Sequence, residues 1–201
     1  MTRTALALAL LFYLVGFLGR GWLQYRRTGD WGYRGFSGRP FSAVWWGGVM
    51  FFSAGIAAVA APVLDLAGTL PLLVTPPAAV RAAGLALAVL GSLGMFAAQL
   101  QMGDSWRVGV DETEATALVA HGFYRWVRNP IYSWMLAAFA GFVVAVPNAV
   151  AVGALVTAVV GLELHVRLVE EPHLRRVHGA AWVRYAEAVG RFVPGLGLLR
   201  G

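Results

Sequence analysis

The 201-residue chain has no cysteine. That excludes disulfides, thiolate metal sites and a cysteine nucleophile. It also has no lysine: all sixteen basic residues are arginine. A Schiff-base lysine and the lysine of a Walker-type phosphate loop are therefore excluded too. Charge of either sign is scarce, 13% of residues against 59% hydrophobic, where a soluble domain carries about 25% charged residues. The apolar residues come in long blocks, which points to an integral membrane protein rather than a large soluble core.

Five blocks are candidate spans: about 4–18, 41–64, 78–100, 131–146 and 149–169. Pro147-Asn148 is a turn signal, so the last two form a tight helical hairpin rather than one kinked helix. The N-terminal block partly resembles a signal peptide, but no small-residue cleavage site precedes Arg20, so it is expected to remain as a first helix. The expected fold is all-α and integral to the membrane, with an amphipathic cytoplasmic helix after the hairpin. Leu174, Val177, Ala181 and Tyr185 give that helix its apolar stripe.

The arginines set an orientation. With five spans, fourteen of the sixteen fall on one side: Arg20, Arg26, Arg27, Arg34 and Arg39 in the first loop, Arg107, Arg125 and Arg128 in the third, and six from Arg167 to Arg200. Only Arg3 and Arg81 fall on the other. The positive-inside rule puts the fourteen, and the C-terminus, in the cytoplasm, with the N-terminus outside. This placement suits membrane loops better than a nucleic-acid partner. Trp and Tyr in the first loop read as interfacial anchors.

The polar residues concentrate at one mouth. The hairpin's entry, "HGFYRWVRNPIY", carries Arg125, Arg128 and Asn129. Its exit carries Glu163, His165, Arg167, Glu170 and Glu171. A short turn makes these two ends neighbours, and ionisable groups near a bilayer are paired or functional. No HxxxH or HExxH spacing appears, and Pro172 is expected to interrupt the helix between His165 and His173, so no metal site is expected. No inverted repeat and no mid-bilayer polar residue point to a transporter.

"GFYRWVRNPIY" resembles the GPYRYVRHPxY signature of the isoprenylcysteine carboxyl methyltransferase and phospholipid methyltransferase superfamily. "EEPHLRRVHGAAWVRYAEAVGRFVP" resembles that superfamily's second motif, and the two flank a hairpin as they do there. "MGDSWRVGVDE" is similar to the segment upstream in its bacterial members. The resemblance spans Gln101 to Pro194. It divides the chain into an N-terminal three-helix region, 1–100, and a methyltransferase-like region, 101–201, within one membrane domain.

The resemblance implies methyl transfer from S-adenosyl-L-methionine to a lipophilic acceptor that enters from the bilayer, with membrane lipids as the other partner. Carried over by position, the cofactor residues are His121, Gly122, Tyr124, Arg128, Asn129, Pro130, Tyr132, Glu170, Glu171 and Tyr185. The catalytic candidates are Arg191, Arg128 and Glu171. A carboxylate acceptor would need an arginine to orient it, Arg191 or Arg128; an amine acceptor would need a base, a glutamate or His121. Three positions depart from the pattern. Thr116 stands where a histidine is common, Asn129 replaces the motif histidine, and Ala188 stands where the eukaryotic carboxyl methyltransferases have an arginine. The alternatives are an NADPH-dependent membrane reductase related to sterol reductases, which share a related C-terminal motif, and a non-catalytic scaffold whose arginines anchor head groups.

Overall fold

The computed structural model describes residues 1–35, 38–109 and 117–199. Thr116 and Arg200 lie outside the described residues. Among the described residues the protein is all-helical, with two isolated backbone bridges, Tyr33 with Val108 and Val127 with Gly190, and no strand. Helices α1 (Thr2–Thr28), α2 (Ala43–Leu66), α3 (Ala78–Gln101) and α5 (Ala149–His178) are long and apolar enough to cross a membrane. Helix α4 (Pro130–Ala145) is apolar but shorter, at 16 residues. Helix α6 (Ala180–Ala188) follows Gly179, whose φ of 53° breaks the chain's direction.

Lipid tails are as apolar as leucine, so helices in a bilayer associate through close packing of small residues rather than through the hydrophobic effect. The pairings follow that rule. Gly84, Ala88 and Gly91 of α3 meet Ala138, Gly141 and Ala145 of α4. A Cβ at Gly84 would lie 2.8 Å from the Gly141 carbonyl, and one at Gly141 would lie 2.6 Å from the Gly84 carbonyl. Helices α2 and α5 pair in the same way through Gly47 and Gly161 and through Ala54, Ala58, Ala154 and Ala158.

The hairpin expected at Pro147-Asn148 is present. The fully buried Asn148 side chain accepts from the Ala151 N–H at 2.9 Å, capping α5, and donates to the Ala61 carbonyl at 2.8 Å. Such a cap satisfies one of the four free N–H groups that begin every helix. At the same end of the bundle Arg81 donates to Ala145 O and Thr2 Oγ1, and Thr2 donates to Asp65, tying together the ends of α1, α2, α3 and α4. The opposite end collects the described loop residues 29–35, 38–42, 102–109 and 117–129 and residues 179–199. Arg3 and Arg81 belong to the first end, and the other described arginines to the second.

Two expectations need correction. Arg20, Arg26 and Arg27 are not in a loop but on α1, which continues ten residues beyond the expected end at Leu18 and stops at the left-handed Gly29. Arg20 is fully buried, so the run "LGRGWLQYRRT" is a helix with one buried cation, whose terminal nitrogens find the partners described below. Pro172 does not end α5 either. Residues Val166–Glu170 form a π turn in which the Glu171 N–H bonds the Val166 carbonyl five residues back. Proline has no N–H and its ring presses on the carbonyl four residues earlier. The wider turn just before it relieves that contact, and the helix runs on to His178.

Candidate functional site

At the arginine-rich end the five membrane helices and α6 surround a cavity of about 180 Å³ that is partly open to the outside. Its walls come from both halves of the chain. Helix α4 supplies Ile131, Tyr132 and Met135; α5 supplies Leu162, His165, Glu170, Glu171, His173 and Leu174. Tyr124, Arg128 and Asn129 come from the segment entering α4, and Trp182 and Tyr185 from α6. The amphipathic segment after the hairpin thus exists as two helical pieces, the end of α5 and α6, with His173, Trp182 and Ala186 buried against the bundle.

Glu170 is the carboxylate that faces this space most directly. Tyr132 donates a short hydrogen bond to its Oε1, and His165 Nε2 lies 3.3 Å from the same oxygen. All three side chains line the cavity. No partner for the second oxygen is seen among the described residues.

Glu171 is placed differently. Arg128 Nη2 reaches its Oε1 at 2.7 Å, while Arg191 grips both oxygens, Nε to Oε1 at 2.8 Å and Nη2 to Oε2 at 2.9 Å. This carboxylate is saturated by two guanidinium groups. The Glu171 carboxylate in turn raises the Arg191 pKa above the ordinary arginine value. Both terminal nitrogens of Arg128 are engaged: Nη1 donates to the Ala186 and Val189 carbonyls and Nη2 also to Gly197 O at 2.9 Å. It clamps the C-terminal segment onto the entrance of α4. Backbone bonds complete that seam, Arg128 N–H to Gly190 O at 2.7 Å and Asn129 N–H to Arg191 O at 3.0 Å.

The two tyrosines beside them use their hydroxyls on the backbone. Tyr185 donates to Tyr124 O at 2.6 Å, and Tyr124 to Ala98 O at 3.3 Å. Burial lifts the Tyr185 phenol to about 12 and raises the Tyr124 phenol well above its ordinary value. Both rings therefore stay neutral and offer the cavity apolar surface.

Of the residues singled out from the sequence, Tyr124, Arg128, Asn129, Tyr132, Glu170, Glu171 and Tyr185 come together on the cavity wall. His121 and Gly122 do not. They are exposed in the turn before α4, where Gly122 takes φ +60° with the Gln101 amide pressed against it. Pro130 is buried as the first residue of α4, where its missing N–H leaves no bond unmade. Arg191 stands behind Glu171 rather than on the wall.

Sequence reasoning passed over the cavity's other side. Arg20 lies with its guanidinium 4.4 Å over the Trp106 ring, donates to Gly103 O at 2.7 Å and to Gln24 at 2.9 Å, and so fixes Trp106 as a wall residue. Gln99 also lines the cavity. Its Nε2 donates to Gly16 O at 3.0 Å, and its buried Oε1 has no donor among the described residues. An arginine placed too early and a glutamine inside a hydrophobic block were the available signals.

A family model for phospholipid methyltransferases matches residues 79–181, just over half of the chain. The chain belongs to this family. The matched stretch begins in α3 and ends inside α6, so it contains Glu170 and Glu171 and stops before Tyr185 and Arg191. No curated protein matches the chain. Membership carries the coarse reading: a methyltransferase acting on membrane-lipid-like substrates.

Proposed function

We propose that this member of the phospholipid methyltransferase family moves the methyl group of S-adenosylmethionine to a lipophilic acceptor at the cytoplasmic face of a bacterial inner membrane. One observation carries the reading. Glu170, Tyr132 and His165 converge in a cavity whose lining is mostly apolar and lies among membrane helices. A charged, water-borne methyl donor and a greasy acceptor need such a meeting place.

The residues fit the donor's chemistry. Glu170 offers a carboxylate oxygen for an ammonium or for ribose hydroxyls. Trp106, Tyr124, Tyr132 and Trp182 offer aromatic surface for a nucleobase. The bound donor supplies a methyl group on a sulfonium, which is displaced in line. The protein's part is alignment and exclusion of water, worth about 7–11 kcal/mol when a bimolecular step becomes unimolecular. Tyr132 and His165 hold Glu170 in one orientation. Arg128, Glu171 and Arg191 close the C-terminal segment over the entrance of α4 and keep that wall in place. The arginine-rich end is the cytoplasmic one, by the positive-inside rule.

The test is calorimetric titration of the detergent-purified protein with S-adenosylhomocysteine, with NADPH in parallel. The expected result is saturable binding of the first alone, weakened about tenfold or more in Glu170→Ala, the scale of a lost charge-assisted hydrogen bond. Binding of NADPH instead would replace this reading with a reductase, and binding of neither would leave a scaffold.

A further inference from the structure

The cavity wall holds a buried acceptor that the described residues supply with no donor. Gln99 of α3 lines the cavity and is 2% exposed. Its amide cannot be turned over. Nε2 donates to the Gly16 carbonyl at 3.0 Å, and an oxygen in that place would face another oxygen. Oε1 is therefore held in position, and no N–H or O–H of the described residues reaches it. Buried polar atoms are nearly always hydrogen-bonded, and one left without a partner destabilises the fold. On the wall of a cavity, the missing donor comes from whatever fills the cavity.

Trp106 belongs to the same side. It is 2% exposed and lines the cavity too. One stretch of α1 holds both residues: Gly16 takes the Gln99 amide, and Arg20, further along, lies over the Trp106 ring. Arg20 also donates to Gly103 O, which fixes the chain between them. A fixed aromatic face together with a fixed in-plane acceptor is the chemistry that reads a nucleobase, the face for the ring and the acceptor for an exocyclic N–H.

Glu170 offers its oxygen from another wall, because α3 packs on α4 while α5 packs on α2. A ligand that satisfies both acceptors needs N–H groups at two separated places. S-adenosylmethionine has them, an ammonium at one end and the exocyclic amine of adenine at the other. The reacting head of a lipid offers donors at one place only.

We propose that Gln99 is a specificity-determining residue of this site, its Oε1 accepting a hydrogen bond from the exocyclic amine of the methyl donor's adenine, with Trp106 as aromatic support for the ring. This rests on the methyl-transfer reading and adds the residue that selects adenine. A base with a carbonyl in place of the amine would set oxygen against oxygen.

The test is calorimetric titration of the detergent-purified full chain with S-adenosylhomocysteine and with its analogue that carries hydrogen in place of the exocyclic amine. The wild-type comparison needs no substitution. The analogue is expected to bind about tenfold more weakly or worse, the scale of an acceptor left buried without its donor. Gln99→Leu, and Gln99→Met as the variant closer in shape, are then expected to bind both ligands alike, and S-adenosylhomocysteine no better than the wild type binds the analogue. Equal affinity of the wild type for the two ligands would overturn the proposal and leave the methyl-transfer reading standing; an internal water as the partner of Gln99 gives this result. A preference for the amine that survives in the variants would also overturn it, because another group would then be reading the base. Binding of neither ligand to the wild type would remove the methyl-transfer reading and this inference with it.

Discussion

His165 and Glu170 stand five residues apart on one helix, yet His165 Nε2 lies 3.3 Å from Glu170 Oε1. On a regular α-helix side chains five apart point about 140° away from each other. The π turn between them, Val166–Glu170, takes up the extra residue and brings both to the cavity. The presence of Pro172 just beyond favours that turn, because a regular helix would press the ring on the Leu168 carbonyl.

Replacing Pro172 therefore separates stability from function. An interior proline destabilises a helix by about 3 kcal/mol relative to alanine, so Pro172→Ala should raise the thermal midpoint as the turn relaxes toward a regular helix. Glu170 should then rotate away from His165 and Tyr132, and S-adenosylhomocysteine affinity should fall about tenfold, the scale of one charge-assisted hydrogen bond. Calorimetry on the variant checks both. A higher midpoint with unchanged affinity would mean that the π turn has no part in placing Glu170.

Arg128 behaves as a clamp in this geometry, with bonds to Glu171 and to the Ala186, Val189 and Gly197 carbonyls. Removing one partner of a buried, hydrogen-bonded ion pair destabilises by about 3–5 kcal/mol. Arg128→Ala should lower the thermal midpoint and expose the segment after Ala188 to limited proteolysis. Arg128→Lys should recover little, because one ammonium does not span four acceptors. A variant with the wild-type midpoint and protease pattern that loses only cofactor binding would make Arg128 a direct ligand contact.

Much of this was legible in the sequence, and the limits are physical. The five apolar blocks, the Pro147-Asn148 turn and the separation of the arginines between two ends depend on composition and length, which the bilayer dictates directly. The convergence of Tyr132, Glu170 and Glu171 followed from two motifs bracketing a short hairpin. What was hidden depends on single backbone irregularities. Neither π turn has a sequence period of its own, so Arg20 read as a loop residue and Pro172 as a helix end. The partition of Glu170 and Glu171 into one cavity-facing and one saturated carboxylate was also hidden, since adjacent glutamates look alike until Arg128 and Arg191 are in place.

The absence of cysteine makes the orientation directly measurable, because a single introduced thiol is the only one in the chain. Thr69→Cys, in the loop between α2 and α3, should be labelled by a membrane-impermeant maleimide in intact cells. Arg39→Cys, in the arginine-rich first loop, should be labelled only after permeabilisation. The opposite pattern would place the cavity mouth outside the cytoplasm and remove its access to a cytoplasmic methyl donor.

Arg191 separates two mechanisms. If it oriented a carboxylate acceptor, Arg191→Ala would reduce turnover and leave S-adenosylhomocysteine affinity intact. Its guanidinium is instead spent on Glu171 through two bonds, with Glu163 at 3.8 Å behind it, and it lies off the cavity wall. In that position it acts through Glu171, as a positioning residue. Arg191→Ala should then weaken cofactor binding and lower stability together, and Glu171→Gln should do the same through the same contacts. Because both variants break one network, their effects should not add, with a coupling of about 0.5–3 kcal/mol in the double variant. The remaining Arg128–Glu171 bond, 2.7 Å long, should keep Arg191→Ala folded, so the cycle can be measured at all. Additive losses, or a turnover defect with unaltered cofactor affinity, would return Arg191 to the acceptor's side of the reaction.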